Sequence, residues 1–415
     1  MERKKKIIFK ISEFPLISET FIVTQVVSAI KLGYEVKILV NKLILFNFDS
    51  YYDVFEKHEI PDKILLEDYK IPNNKILKVF KWFYLLLINF SSILNIYAFF
   101  KTQKKFSFST LYQWCFFQKF NNKDTLFHVQ YGTNKYPIDL LKATGNFKPP
   151  VIVTFHGHDA FFPINGFIPN NGYYDFLFKN VNLITANTSY LANQLIKIGC
   201  SIEKISIVPV GVNTSFFLPQ ESRKFSDEKL KIISVGRLDA GKGHKYGIEI
   251  IKRLVDCKIP VELTIVGEGK EFQNLQNQIE VNGLQQHVFL IGKKDQKEIR
   301  DLFWKHDLYL LTAVAMEDGR RETQGLATIE AQACGLPVVV FDSGGVKYTV
   351  QDGVTGYVCG EYNVDEVVAK IANLYHNSAI LEDMSLNTQK FIEENYSLTS
   401  VDEKWKTIYK TFFKS

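Results

Sequence analysis

Two glutamates with seven residues between them, Glu322 and Glu330, enclose Thr323-Gln324-Gly325-Leu326 and the small residues that run on toward Gly335 and the apolar stretch Val338–Phe341. Gly325 opens a helix in this reading. N–H groups at a helix start point outward and carry partial positive charge, which suits a diphosphate. Carboxylates on either side of such an anion would accept hydrogen bonds from sugar and ribose hydroxyls. An amphipathic helix with two solvated glutamates accounts for the segment equally well when it is taken alone. A second constellation, Gly236-Arg237-Leu238-Asp239-Ala240-Gly241-Lys242-Gly243, follows the apolar run Ile232–Val235. It reads as strand, tight turn and helix. Arg237 and Lys242 become cations at the end of a strand, where open α/β sheets bind ligands. Arginine suits bidentate contact with phosphate, and lysine acts as a point charge.

A chain of 415 residues is too long for one core and predicts two domains. Strand-like runs alternate with helical ones: Lys6–Ile11, Glu35–Val40, Thr125–Gln130, Val151–Phe155, Leu183–Asn187 and Ile205–Val210 in the first half. They resume at Ile232–Val235, Val261–Val266, Val288–Ile291, Leu308–Leu311 and Val338–Phe341. That rhythm predicts an α/β protein with parallel sheets covered by helices. The boundaries expected are a first domain over 1–218, a linker over 219–229 and a second domain over 230–397. A terminal helix over about 398–415 is expected to pack back on the first domain.

The five cysteines are scattered and fit reduced core residues rather than a disulfide framework or a zinc site. The basic start leads into a strand pattern rather than a signal peptide, so a cytoplasmic location is expected. The first 220 residues carry 25 Lys and Arg against 16 Asp and Glu, and the remainder 25 against 29. Sign asymmetry of this kind suggests that the first half meets an anionic surface. No acidic residue falls between Asp68 and Asp124, where lysines interleave with aromatics. Val79–Phe100 approaches the length of a membrane span. Lys81, Asn89, Ser92 and Asn95 form a polar stripe at helical spacing, which argues against a span. Contact of Val79–Lys105 with an anionic membrane surface is the expectation, against ordinary packed helices. Nucleic-acid binding fits poorly, since no recognised module accompanies the basic region.

These motifs, with Phe14-Pro15-Leu16-Ile17-Ser18-Glu19-Thr20-Phe21, Phe155-His156-Gly157-His158-Asp159, Val208-Pro209-Val210-Gly211-Val212-Asn213 and Gly267-Glu268-Gly269, resemble a retaining glycosyltransferase of family 4, of the bacterial exopolysaccharide and colanic-acid type. The resemblance covers nearly the whole chain. It implies the GT-B fold, two facing Rossmann-like domains with a cleft between them. It implies that Arg237 and Lys242 neutralise a donor diphosphate, that Glu330 binds the nucleotide ribose, and that Thr323, Gln324, Gly325 and Leu326 lie against the donor. Glu322 and His156 would face the transferred sugar as catalytic residues. The donor would be a UDP- or GDP-sugar and the acceptor a glycan or lipid-linked glycan. The enzyme would lie at the inner face of the cytoplasmic membrane, with no cofactor and no metal. Gly292, Lys293 and Lys294 form a candidate contact for the base. Three positions depart from the family pattern: Thr323 replaces a usual glycine, Tyr348 a common glutamate and Asn213 a frequent aspartate. A nucleotide-sugar epimerase on the same fold, or a non-catalytic binding subunit, are the alternative readings.

Overall fold

The computed structural model describes residues 5–16, 19–44, 52–103, 106–220 and 228–413. Residues 221–227 of the expected linker, Ile17 and Ser18 of the first motif, and Lys104 and Lys105 lie outside the described residues. Two compact units emerge. One comprises Met1–Ala186, Ala192–Ile207 and Lys404–Ser415, and the other Asn187–Leu191 and Val208–Glu403.

The first unit is built on seven strands: β1 (Lys6–Phe14), β2 (Glu35–Leu43), β3 (Ile64–Leu66), β4 (Thr125–Gln130), β5 (Val151–Thr154), β6 (Leu183–Ala186) and β7 (Ile205–Ile207). Their order across the sheet is β3-β2-β1-β4-β5-β6-β7, and every pair is parallel. A parallel sheet is covered on both faces, so its strands are continuous apolar runs rather than alternating ones. All six residues of β4 are buried accordingly. The second unit repeats the plan with β8 (Leu230–Val235), β9 (Val261–Val266), β10 (Val288–Leu290), β11 (Leu308–Leu311), β12 (Val338–Phe341) and β13 (Gly356–Cys359), ordered β10-β9-β8-β11-β12-β13 and again all parallel.

All eleven strands expected from the sequence are present. The two that periodicity did not reveal, β3 and β13, have three and four residues and lie at sheet edges. In both sheets the strand order reverses direction once, between β1 and β4 and between β8 and β11. Loops leaving the carboxyl ends of the two strands at such a switch point diverge to opposite faces and leave a crevice. This is the feature of each unit that positions the candidate residues.

Five helices matter below: α1 (Lys75–Ile88), α2 (Ile93–Thr102), α3 (His244–Asp256), α4 (Leu326–Ala333) and α5 (Leu398–Phe413). α4 is short and made of small residues, so it packs closely on the second core, where Ile329, Ala331 and Ala333 are buried beside Val338 and Val340. α5 begins in the second unit and ends in the first. In the first unit its Tyr409 is fully buried, with its hydroxyl 2.9 Å from His128 Nδ1.

Candidate functional site

In the second unit the loop after β8 is shaped by close approach. Gly243 has φ +66°, and a Cβ there would lie 1.8 Å from the carbonyl oxygen of Thr312, just past β11. Only glycine lets the chain turn that tightly into α3. The Asp239 side chain accepts a 3.2 Å hydrogen bond from the Lys242 N–H and fixes the turn that carries the lysine. The Lys242 ammonium then donates to the Glu322 carboxylate, and both side chains are largely withdrawn from solvent. The sequence-predicted cation and carboxylate are thus brought into direct contact across eighty positions.

The Glu322 carboxylate also accepts from the N–H groups of Thr323 and Gly325, each at 3.2 Å. Burial alone would raise its pKa. The Lys242 charge and hydrogen bond, with the backbone donors of Gln324 and Gly325, outweigh that and hold it at about 2. The anion that occupies the start of α4 is therefore the protein's own carboxylate, bound as a helix N-terminus binds anions. The next donors along that helix start are the N–H groups of Leu326 and Ala327. Gly325 itself takes φ +84° immediately ahead of α4.

Glu330 stands apart from this pair. It projects from α4, half-buried, and no hydrogen bond or ion pair to its carboxylate occurs among the described residues. Burial raises its pKa to about 7. Two carboxylates eight positions apart are therefore held in opposite states, one firmly ionised and the other poised to gain a proton near neutrality. Arg237 is also separate, with 83% of its side chain exposed and its guanidinium 3.5 Å from Asp239.

The segment between the glutamates is held from outside. Gln324 is 1% exposed, and its side-chain amide clamps Val210 by accepting from the N–H at 2.9 Å and donating to the carbonyl at 2.8 Å. Two such bonds contribute about 1 kcal/mol each. They fix the loop rather than present the amide to a ligand. The Thr323 hydroxyl, in the position of the family's glycine, accepts from Asn187 Nδ2 at 3.2 Å, and its carbonyl accepts from the Thr188 hydroxyl at 2.8 Å. Leu326 packs against the core from a half-buried position. Arg321, next to Glu322, donates to the Glu361 carboxylate and to the Ser343 hydroxyl, bracing the same loop toward β12.

In the first unit the motif residues converge at the carboxyl ends of β1, β4 and β5. Asp159, fully buried, accepts from the N–H groups of His156 at 3.1 Å, Gly157 at 3.0 Å and Gly132 at 2.8 Å, which freezes the loop after β5. The His156 ring lies 4.7 Å from that of Phe21 and 4.5 Å from that of Tyr131. Its Nε2 is 2.9 Å from the Gln130 side-chain oxygen, and the Gln130 amide nitrogen donates to Gln25 at 2.8 Å. That chain of donors places the proton on Nε2. Burial, reinforced by His158, lowers the His156 pKa to about 3, so the imidazole is neutral at physiological pH.

Sequence reasoning did not single out Tyr131, Gln130 or the use of Glu19. Tyr131 adopts φ 65°, ψ 131°, a conformation rare for a bulky residue and costing about 1–3 kcal/mol. Its hydroxyl donates to Glu19 at 2.8 Å, and its ring stands between His156 and His158. The available signal was positional, since Gln130 and Tyr131 end the strand at the switch point. Among the described residues no group of three or more His, Cys, Asp or Glu is placed to hold a metal ion.

Two family profiles match this chain: "Glycosyltransferase Family 4" over residues 105–216 and "Glycosyl transferases group 1" over residues 218–391. The chain is 27% identical over 408 residues to the amylovoran biosynthesis glycosyltransferase AmsK of Erwinia amylovora, covering 94% of this chain and 96% of that protein. It is 26% identical to the colanic acid biosynthesis glycosyltransferase WcaL of Escherichia coli K12, over 88% and 90% of the two chains. The crystal structure of Anabaena HepE in complex with UDP superposes with a TM-score of 0.71 at 15% identity, covering 98% of this chain and all of HepE. At that identity the likeness is one of fold.

Proposed function

Because this chain is a GT-B glycosyltransferase of the family 4 and group 1 kind, we propose that it is a retaining enzyme of exopolysaccharide assembly. It moves a hexose from a UDP- or GDP-sugar to a growing, lipid-linked glycan at a membrane surface. The observation that carries this reading is the Lys242–Glu322 pair at the switch point of the second sheet, set into a loop that a Cβ at Gly243 would close. An ammonium, a second cation at Arg237 and the start of α4 together suit a diphosphate leaving group, whose charge grows as the bond to the sugar breaks.

In this reading the bond from the anomeric carbon to the diphosphate oxygen breaks as positive charge spreads over the sugar ring. The acceptor hydroxyl bonds to the same face, and its proton leaves with the nucleoside diphosphate. Lys242 balances the leaving charge. Glu322, ionised by its partner, holds sugar hydroxyls, and Glu330 takes the ribose. His156 offers a neutral imidazole whose orientation Gln130, Phe21 and Tyr131 fix, so it acts through a hydrogen bond rather than as a cation. UDP is the first nucleotide to test, since HepE is described with UDP and with UDP-glucose. The amylovoran and colanic acid enzymes support a polysaccharide acceptor.

The test is a stabilisation screen across nucleoside diphosphates, because a ligand that binds the native state raises its Tm. It is followed by nucleoside-diphosphate release with and without acceptor, and by the anomeric configuration of the product. Acceptor-dependent release with retained configuration is the expected outcome. Release with inversion, or none with any donor, would overturn it.

A further inference from the structure

Helix α1 is turned inside out relative to a soluble helix, while α2 buries Ile96 and Phe99 and exposes the rest of its apolar side chains in part or in full. No residue of α1 is fully buried. Its exposed apolar side chains include Ile76, Leu77, Phe80, Phe83, Leu87 and Ile88, a spacing that makes one continuous stripe along the helix. The stripe continues past the break through Phe90, Leu94 and Tyr97. The polar positions sit on the other side. Lys81 is half-buried and donates to the carbonyl of Lys70 at 2.7 Å, and half-buried Asn89 donates to the Leu85 carbonyl at 2.8 Å. Ser92 and Asn95 are half-buried as well. The inner side is anchored by the Tyr112 hydroxyl, which donates to the Lys78 carbonyl at 2.7 Å, and by Trp82 packed edge-on to Phe100 and Phe108. A docked pair of helices thus presents its apolar face outward, where water would otherwise meet it.

We propose that this face is a shallow membrane wedge that sinks into the outer part of an anionic bilayer. The inference deepens the proposed function and rests on it for its purpose, since a lipid-linked acceptor lies at a bilayer. The geometry limits insertion to the interface. Among the described residues no single helix is long and apolar enough to cross a membrane, and α1 and the segment after it are bent by 77°. A 14-residue helix is about 21 Å long, short of a hydrocarbon core of about 30 Å.

Charge selects the occupant. Exposed Lys75 lies in the first turn of α1 and exposed Lys101 in the last turn of α2, and no acidic residue lies between Asp68 and Asp124. A two-fold contact with a second copy would set lysines against lysines without a carboxylate to pair them. Anionic headgroups pair them at once, while the acyl region receives the aromatic and aliphatic side chains.

The experiment is flotation of the full chain with phosphatidylglycerol–phosphatidylcholine vesicles, run beside light scattering and beside transfer to a short, water-soluble acceptor. Wild type should float with anionic vesicles, less so at high salt. Phe80→Ser, Leu87→Ser and Leu94→Ser combined should lower partitioning by at least about tenfold. These positions are 69%, 72% and 79% exposed, so the fold and the Tm should be unchanged or improved. Lys75→Glu with Lys101→Glu should weaken binding by more than about fivefold per site. Leu87→Trp, which keeps the face apolar, should still float, and its added fluorescence should be quenched by lipids brominated on the acyl chain. Turnover on the soluble acceptor should be unchanged in every variant. Equal flotation of wild type and the triple serine variant would overturn the wedge. So would a dimer in solution that the serine variant dissociates, which would assign the face to a second copy. Loss of vesicle binding with intact turnover supports the wedge, whereas a wild type that floats but transfers nothing defeats only the proposed function.

Discussion

In the second unit a lysine and a glutamate hold each other by charge, and two backbone N–H groups complete the carboxylate's shell. In the first unit a histidine packs against two aromatic rings and meets one side-chain amide. Desolvation acts on both, yet with opposite outcomes. Around Glu322 the local cation defeats burial and keeps the group charged. Around His156 burial prevails and keeps the group neutral. Under the proposed function the first arrangement would meet a diphosphate, and there a preorganised cation need not reorganise as the leaving group departs. Under the same proposal His156 would meet a sugar hydroxyl, where a neutral, rigid hydrogen-bonding group serves better, since an imidazolium would oppose positive charge growing on the ring.

The largest expected effect tests whether both sites serve one reaction. Glu322→Gln and His156→Ala should each lower kcat by about 10²-fold or more with near-normal nucleoside-diphosphate affinity, measured by steady-state transfer and calorimetric titration. Wild-type turnover in either variant would remove that residue from the chemistry.

Next come the two cations. Lys242→Ala and Arg237→Ala should each weaken nucleoside-diphosphate binding by about 1.5–3 kcal/mol. Thermal unfolding should then separate them. Lys242→Ala leaves the largely buried Glu322 carboxylate without its partner and should lower Tm. Arg237 is exposed, and its loss should leave Tm unchanged. Equal nucleotide affinity in wild type and both variants would discard the diphosphate assignment.

The two glutamates should show opposite signs with pH. Glu322, held at about 2 against an ordinary 4.5, contributes stability that is present above pH 4.5 and is lost as pH falls toward 2. Glu330, raised to about 7, ionises in the unfolded chain at lower pH than in the folded one, so stability falls as pH rises from about 4.5 to 7. Glu330→Gln should therefore stabilise the ligand-free protein at pH 8, by up to about 3 kcal/mol, with the gain vanishing below pH 4.5. The same variant should raise the donor KM more than it lowers kcat. Parallel denaturation curves for wild type and Glu330→Gln across that window would contradict the raised pKa.

The smallest effect concerns Tyr131. Tyr131→Phe loses only the hydrogen bond to Glu19 and should cost about 1 kcal/mol of stability with a modest loss of kcat, since the ring still packs on His156. A Tyr131→Phe enzyme as impaired as His156→Ala would mean that the hydroxyl itself takes part.

Strand rhythm was enough to place both parallel sheets, because strands covered on two faces must be continuous apolar runs. It missed β3 and β13, which are too short at the sheet edges to make a periodic signal. The sequence also exposed the residues of the second unit's loop individually. What it could not reveal was that Lys242 and Glu322 would pair, that Gln324 would clamp Val210, or that Arg237 would stand out in solvent. Those are contacts between segments far apart in the chain, and local spacing carries no information on them. Tyr131 was hidden for a related reason, since its left-handed backbone conformation is set by the folded chain and leaves no mark in the local residue pattern. In α1 and α2 the period identified the two faces correctly, but a period has no sign. The polar stripe of Lys81, Asn89, Ser92 and Asn95 fits a helix facing water or its inverse, and only burial distinguishes them.

The terminal helix α5 has a consequence for how the molecule is made. Its last turns belong to the first unit, where Tyr409 fills a buried position, stacks on Trp405 and meets His128. His128 lies in β4, one of the two strands at the switch point. The unit synthesised first thus waits for α5 to leave the ribosome before its central strand is sealed. Domain-by-domain folding during synthesis would here favour the second unit, and a chain cut short near Ser400 would carry an unfinished first unit however complete the second had become.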